Sequence, residues 1–454
     1  MSLRHLARTA TLVAGLGPVT VTGVVAQSTA TAPPRAIRQA PPPADLVLRH
    51  GHVVTVDEKV PEAEAVAVRG DRIVAVGSDA EVARLVGPRT RVIDLHGRLA
   101  IPAFIEGHGH LLETGERHLI VDAMNVRDFD EIAARVGAAA AKARPGQWIL
   151  GRGWHQEKWD RVPQPNVEGV PLHQALDAVA PNNPVMLTHA SGHAALVNAK
   201  ALELAGITKA TPNPAGGEIV RDPRTGEATG LLREAAQGLA QAAYDRARAR
   251  LTPAEREAET RRLIALAGAE ALSLGITTFH DAGNPFEVID LYRRMAAAGT
   301  LPVRIYAMVG GESLTTMARK LPAYRTIGFG HGFLTVRAVK RYADGALGSH
   351  GAWMLEPYAD MPGATGLVRD SPALIAQVGE LAIRDGYQLN THAIGDRANR
   401  EVLNAYEQAF QAHPEIRSAS LRWRIEHAQN ISPQDQPRFA RLGVIASMQA
   451  IHCT

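Results

Sequence analysis

The chain has 454 residues, of which 46% are hydrophobic and 21% charged, so a packed globular protein is expected and disorder is excluded for most of it. Lys and Arg number 49 against 46 Asp and Glu, a net charge of +3 without any long basic run, which argues against a nucleic-acid partner. The single cysteine, Cys453, rules out an intramolecular disulfide and a thiolate metal cluster, so any metal must be held by histidine and oxygen.

Arg4, His5 and Arg8 precede an uncharged stretch from Ala10 to Val25 that ends in small residues around Ala26. That order reads as a signal peptide over 1–26 and predicts a secreted or periplasmic protein. The stretch is interrupted by Gly15, Gly17, Pro18 and Gly23 and is short against the roughly 20 apolar residues of a span. A retained anchor is the alternative, and no stable membrane span is expected. Residues 27–44, with Pro33-Pro34 and Pro41-Pro42-Pro43, read as a linker.

Short alternating strands are predicted from Asp45: Leu46 to Leu48, His52 to Val56, Ala65 to Val68, Arg72 to Val76 and Arg91 to Leu95. They outline a small β-sandwich domain over 45–98. The run from Leu99 to Ile105 then has the unbroken apolar character of a buried parallel strand. Six further runs follow, alternating with helical Ala/Leu/Arg-rich segments: Ile276 to Asp281, Val303 to Val309, Val336 to Asp344, Gln388 to His392, Leu421 to His427 and Val444 to Gln449. Repeated β then α over 99–454 predicts an α/β fold of the (β/α)8 barrel type, with seven of its eight strands within the chain. Residues 111 to about 270 are far too many for a βα loop and predict an inserted α/β subdomain, placed as a lid on the active-site face.

The barrel strands end in histidines. His108 and His110 are two apart, so in an extended segment they face one side. His392 and His427 end two later strands. Four imidazoles from three strand ends of one barrel face predict a metal site. Lys340 lies among apolar neighbours in another strand. It is either a strand-end lysine paired with Asp344 or, carboxylated by carbon dioxide, an anionic ligand. His280 ends the second strand and is expected to hydrogen-bond a ligand from behind. His193 in Ser191-Gly192-His193 either reaches substrate from the insert or serves structure. Trp154 either lines the pocket or packs, and Asp396 is expected to cap the following helix.

These motifs carry a resemblance. Ile101-Pro102-Ala103-Phe104-Ile105-Glu106-Gly107-His108-Gly109-His110 resembles the first-strand motif of the amidohydrolase superfamily, with Ala103 for the usual Gly and Glu106 for the usual Asp. Val339-Lys340 with Ala343-Asp344-Gly345-Ala346-Leu347-Gly348, Thr391-His392-Ala393-Ile394-Gly395-Asp396, and Arg424-Ile425-Glu426-His427-Ala428-Gln429 resemble its YtcJ-like branch, which includes N-substituted formamide deformylase. The resemblance implies hydrolysis of a non-peptide C–N bond in a small-molecule amide. It implies two divalent ions, most simply zinc, one on His108 and His110 and one on His392 and His427, bridged by carboxylated Lys340. It also implies an eighth strand ending in a catalytic aspartate, expected beyond Thr454, so the chain reads as C-terminally truncated and its catalytic acid/base is unassigned. An inactive or purely binding barrel and a lactone or ester hydrolase are the alternatives. Strand edges left open by such a truncation would admit a homo-oligomer.

Overall fold

A computed structural model describes residues 41–348 and 350–450. The expected signal peptide, most of the linker and Cys453 lie outside the described residues. The chain divides into two compact units, 1–101 and 102–454.

In the first unit, Leu46–Arg49 is central to a four-stranded sheet, antiparallel to Ala65–Arg69 and parallel to Arg91–Asp94, with Arg72–Gly77 at one edge. A three-stranded sheet joins His52–Val54 to Glu62–Ala63 and Leu99–Ala100. Leu99 and Ala100 are therefore not the start of the barrel strand, as the apolar run suggested. Pro102, which has no N–H for a ladder, separates the two strands.

The second unit is built on parallel strands in sequence order: β1 (Phe104–Gly109), β2 (Ile276–Asn284), β3 (Arg304–Val309), β4 (Leu334–Tyr342), β5 (Gln388–Ala393), β6 (Arg424–His427) and β7 (Ile445–Ser447). Each pairs in parallel with the next, and the sheet forms a nearly closed seven-stranded barrel of the TIM type. Among the described residues no strand joins β7 to β1. Phe104 and Ile105, expected to be buried, are 57% and 62% exposed, because β1 is an edge there.

The barrel helices are α1 (Leu111–Arg117), α2 (Pro253–Ser273), α3 (Phe286–Ala297), α4 (Leu314–Tyr324), α5 (Pro372–Asp385), α6 (Asp396–Ala412) and α7 (Gln436–Leu442). Their ends are chemically marked. Thr252 and Glu255 form a capping box before Pro253, and α5 runs from Ser371 and Pro372 to a left-handed Gly386. Leu111 of α1 and Ile264, Ala267 and Ala271 of α2 share one core with the barrel helices. The inserted subdomain is thus narrower than 111–270, lying between α1 and α2. Its six-stranded mixed sheet includes Ile149–Trp154 and Val185–His189 as parallel neighbours and has its own core around Ile132, Leu187 and Leu231. Among the described residues no helix is long and apolar enough to cross a membrane.

Candidate metal centre

The strand register builds the site in layers. Lys340, Asn390 and Arg424 are aligned across β4, β5 and β6, and two residues further on Tyr342, His392 and Glu426 are aligned in the same way. Side chains two apart on a strand share a face, so both layers look the same way. Lys340, Asn390, Arg424 and Glu426 are all buried.

His427 follows Glu426 directly and by strand alternation should point to the opposite side. It does not, because its backbone is left-handed (φ 74°), as is that of Ala428 (φ 45°). A non-glycine residue held there costs about 1–3 kcal/mol, and here the twist lets two consecutive side chains converge on one site. On β1, Gly109 separates the two histidines. A Cβ at Gly109 would lie 2.4 Å from the Phe279 ring, so only glycine admits that packing.

The imidazoles form a chain. Ring centroids lie 5.6 Å apart for His110 and His108, 4.6 Å for His108 and His427, and 4.5 Å for His427 and His392. Lys340 Nζ stands 3.4 Å from His108 Nε2 and 4.9 Å from the centre of the Tyr342 ring. His108 Nδ1 donates to Glu426 Oε2 at 2.7 Å, and His427 Nδ1 is tied to Gln449 Oε1 at 2.7 Å. Asp344 is fully buried and accepts from the backbone N–H groups of Trp353, Ile394 and Gly395, with one oxygen 3.4 Å from His392 Nε2. That leaves Asp344 no contact with Lys340, the pairing weighed from the sequence.

Burial governs the charges. It pulls the Lys340 ammonium down to about 7, against the opposing pull of Glu426. It holds His108 below the ordinary imidazole value despite the Glu426 hydrogen bond, and takes His427 down to about 3 with help from His392 and His108. Burial works to raise the Glu426 carboxyl too, but the His108 hydrogen bond and the charges of Arg424, His108 and Lys340 keep it at about 2. His108 and Glu426 thus meet as a neutral imidazole and a carboxylate.

This donor set fits divalent cations in kind: imidazole nitrogens, with His108 Nε2 facing an amine that can become anionic on carboxylation. Among the described residues no three His, Cys, Asp or Glu side chains enclose a single point. A cavity of about 440 Å³ opens beside His108, lined by Glu106, Gly107, Ser447, Met448, Gln449 and Ala450. Another, of about 330 Å³ near Arg161 and Pro165 in the insert, holds none of these histidines.

The other expected residues fall elsewhere. Trp154 is 2% exposed in the core of the insert with its N–H given to the Leu187 carbonyl, which makes it a packing residue. The His193 side chain is 70% exposed and pairs with Glu234 at 3.1 Å. His280 bonds no ligand ring; its Nδ1 faces Arg424 Nη1 at 3.3 Å. Asp396 is the first residue of its helix, with Gly395 as the N-cap; its carboxylate accepts from the Arg397 N–H in the first turn and from the Leu355 N–H. Arg424, Glu426 and Gln449 were not singled out from the sequence. The signal was the charged pair flanking Ile425 just before His427, an alternation facing a barrel interior.

The amidohydrolase family model matches residues 91–454. Protein LONG AFTER FAR-RED 3 of Arabidopsis thaliana is 33% identical, over 90% of this chain and 68% of its own length. N-substituted formamide deformylase of Arthrobacter pascens is 32% identical, over 88% and 72% respectively. An uncharacterized metal-dependent hydrolase of Pyrococcus furiosus superposes with a TM-score of 0.69 at 26% identity, over 88% of this chain and 76% of that one.

Proposed function

The chain belongs to the amidohydrolase family, and we propose that it is a zinc-dependent hydrolase of small-molecule amides of the formamide or N-acyl amine type. The observation that carries this reading is the chain of four imidazoles around Lys340 at the ends of β1, β5 and β6. The similarity to a formamide deformylase supports the choice of bond.

In this reading His108 and His110 would hold one ion and His392 and His427 the other. Divalent ions there supply a Lewis acid for the substrate carbonyl and lower the pKa of a water toward about 7. A carbamate on Lys340 would supply anionic oxygen ligands to them: its neutral amine attacks carbon dioxide, the new N–C bond forms, a C=O electron pair moves to oxygen and the nitrogen loses a proton. Burial supports that step, since with an ammonium value of about 7 much of Lys340 is free amine at neutral pH. Asp344, fixed by three backbone N–H groups, holds the loop after β4 against the end of β5 and so orients His392. We also place the protein outside the cytoplasm, on the charge and apolar pattern of residues 1–26.

The test is a parallel panel of N-substituted formamides, N-acyl amines and lactones offered to zinc-loaded protein in bicarbonate buffer. Amine release from the first two classes is the expected result. Zinc binding without turnover of any amide would favour a binding protein, and turnover of lactones alone an ester hydrolase. N-terminal sequencing of the exported protein checks the location.

A further inference from the structure

The polar contacts behind His108 run in series through Glu426 and Arg424 to His280, and chemistry fixes their directions. A guanidinium only donates and an ionised carboxylate only accepts. Arg424 Nη1 lies 3.3 Å from His280 Nδ1, so that nitrogen is the acceptor. With Nδ1 accepting, the proton of a neutral His280 is left on Nε2. Arg424 Nε lies 2.8 Å from Glu426 Oε1, a close ionic contact rather than a well-directed hydrogen bond. Glu426 Oε2 accepts from His108 Nδ1 at 2.7 Å.

We infer that the Arg424–Glu426 pair, together with His280, is a positioning device that fixes His108 as the Nδ1–H tautomer, so that Nε2 presents its lone pair toward Lys340. Glu426 sets the tautomer. Arg424 neutralises the buried carboxylate and sets the opposite tautomer on His280. A carboxylate behind a metal-binding imidazole raises its basicity, and losing such a partner typically costs roughly 10- to 100-fold in metal affinity.

The inference rests on reading His108 as a metal ligand, and the test separates the two. Imidazole 15N shifts are measured on histidine-labelled, metal-free protein at pH 8, and zinc affinity is measured by competition with a chelating dye. The wild type should show His108 protonated on Nδ1 and His280 on Nε2. In Glu426→Ala, His108 should shift toward the Nε2–H form and zinc affinity should fall roughly 10- to 100-fold. Glu426→Gln fills the same space and serves if the alanine variant does not fold. Its amide N–H competes with His108 Nδ1–H, so a mixture of tautomers and an intermediate affinity are expected. A wild-type His108 protonated on Nε2, or wild-type tautomers and zinc affinity in both variants, would overturn the inference. A wild type that binds no zinc would overturn the metal reading, while the tautomers would still decide the inference.

Discussion

Replacing Lys340 with methionine should stabilise the metal-free protein at acid pH while removing the amine of the proposed metal site. Lys340 is 1% exposed, and burial lowers its ammonium from 10.5 to about 7. At about 1.4 kcal/mol for each factor of ten, that gap amounts to about 5 kcal/mol, an upper figure because a buried site relaxes on protonation. The sign follows from proton counts. The unfolded chain binds the Lys340 proton below about 10.4 and the folded chain only below about 7. Between these values the unfolded state holds more protons, so stability climbs with pH; below about 7 the penalty is complete and constant. Methionine fills nearly the same volume with no charge to desolvate. In urea titrations of chelated, carbon-dioxide-free protein, Lys340→Met should gain up to about 5 kcal/mol over wild type at pH 6. The gain should shrink steadily toward pH 10. A variant less stable than wild type at pH 6, or an advantage that does not change with pH, would refute the burial argument.

His392→Ala removes an imidazole from the chain of rings and should lower bound zinc and abolish amide hydrolysis; unchanged zinc content by elemental analysis would sink the ligand assignment. Trp423 is fully buried against Tyr406 and Phe410 with its N–H on the Tyr387 carbonyl, so Trp423→Ala should cost about 3–5 kcal/mol in urea denaturation. A loss under about 1 kcal/mol would contradict that packing. Gly395→Ala would set a Cβ 2.0 Å from the Trp353 carbonyl oxygen. The loop from Gly345 to Trp353 must then move away from Asp344, with a stability loss of about 1–3 kcal/mol and reduced turnover, read by thermal melt and amine release.

Much of the barrel was legible because local chemistry writes it. Strands such as Arg304–Val309 carry apolar runs bounded by turn residues, and the helices between carry caps such as Ser371 and Gly386. The four histidines and Lys340 stood out because a barrel presents strand ends on one face, so their sequence positions already implied convergence. The split at Pro102 was harder to read, since Leu99–Ala100 and Phe104–Gly109 have the same apolar character and only their pairing partners differ. Trp154 was ambiguous for the same reason: a tryptophan suits a pocket and a core equally, and the partner of its N–H decides which.

The amino-acid sequence by itself determined the fold class, the order of the strands and the residue types available to a metal, because periodicity and strand-end position are local properties. Tertiary structure alone decided how those groups are charged and aimed. Glu426 lies 318 residues from His108 along the chain, yet its carboxylate sets that imidazole. The left-handed turn at His427, which brings two neighbouring side chains to one site, is held by the packing around it and leaves no mark in composition. Desolvation acts the same way: Lys340 is an ordinary lysine in the sequence, and its ammonium is pulled down to about 7 only where the surrounding strands exclude water.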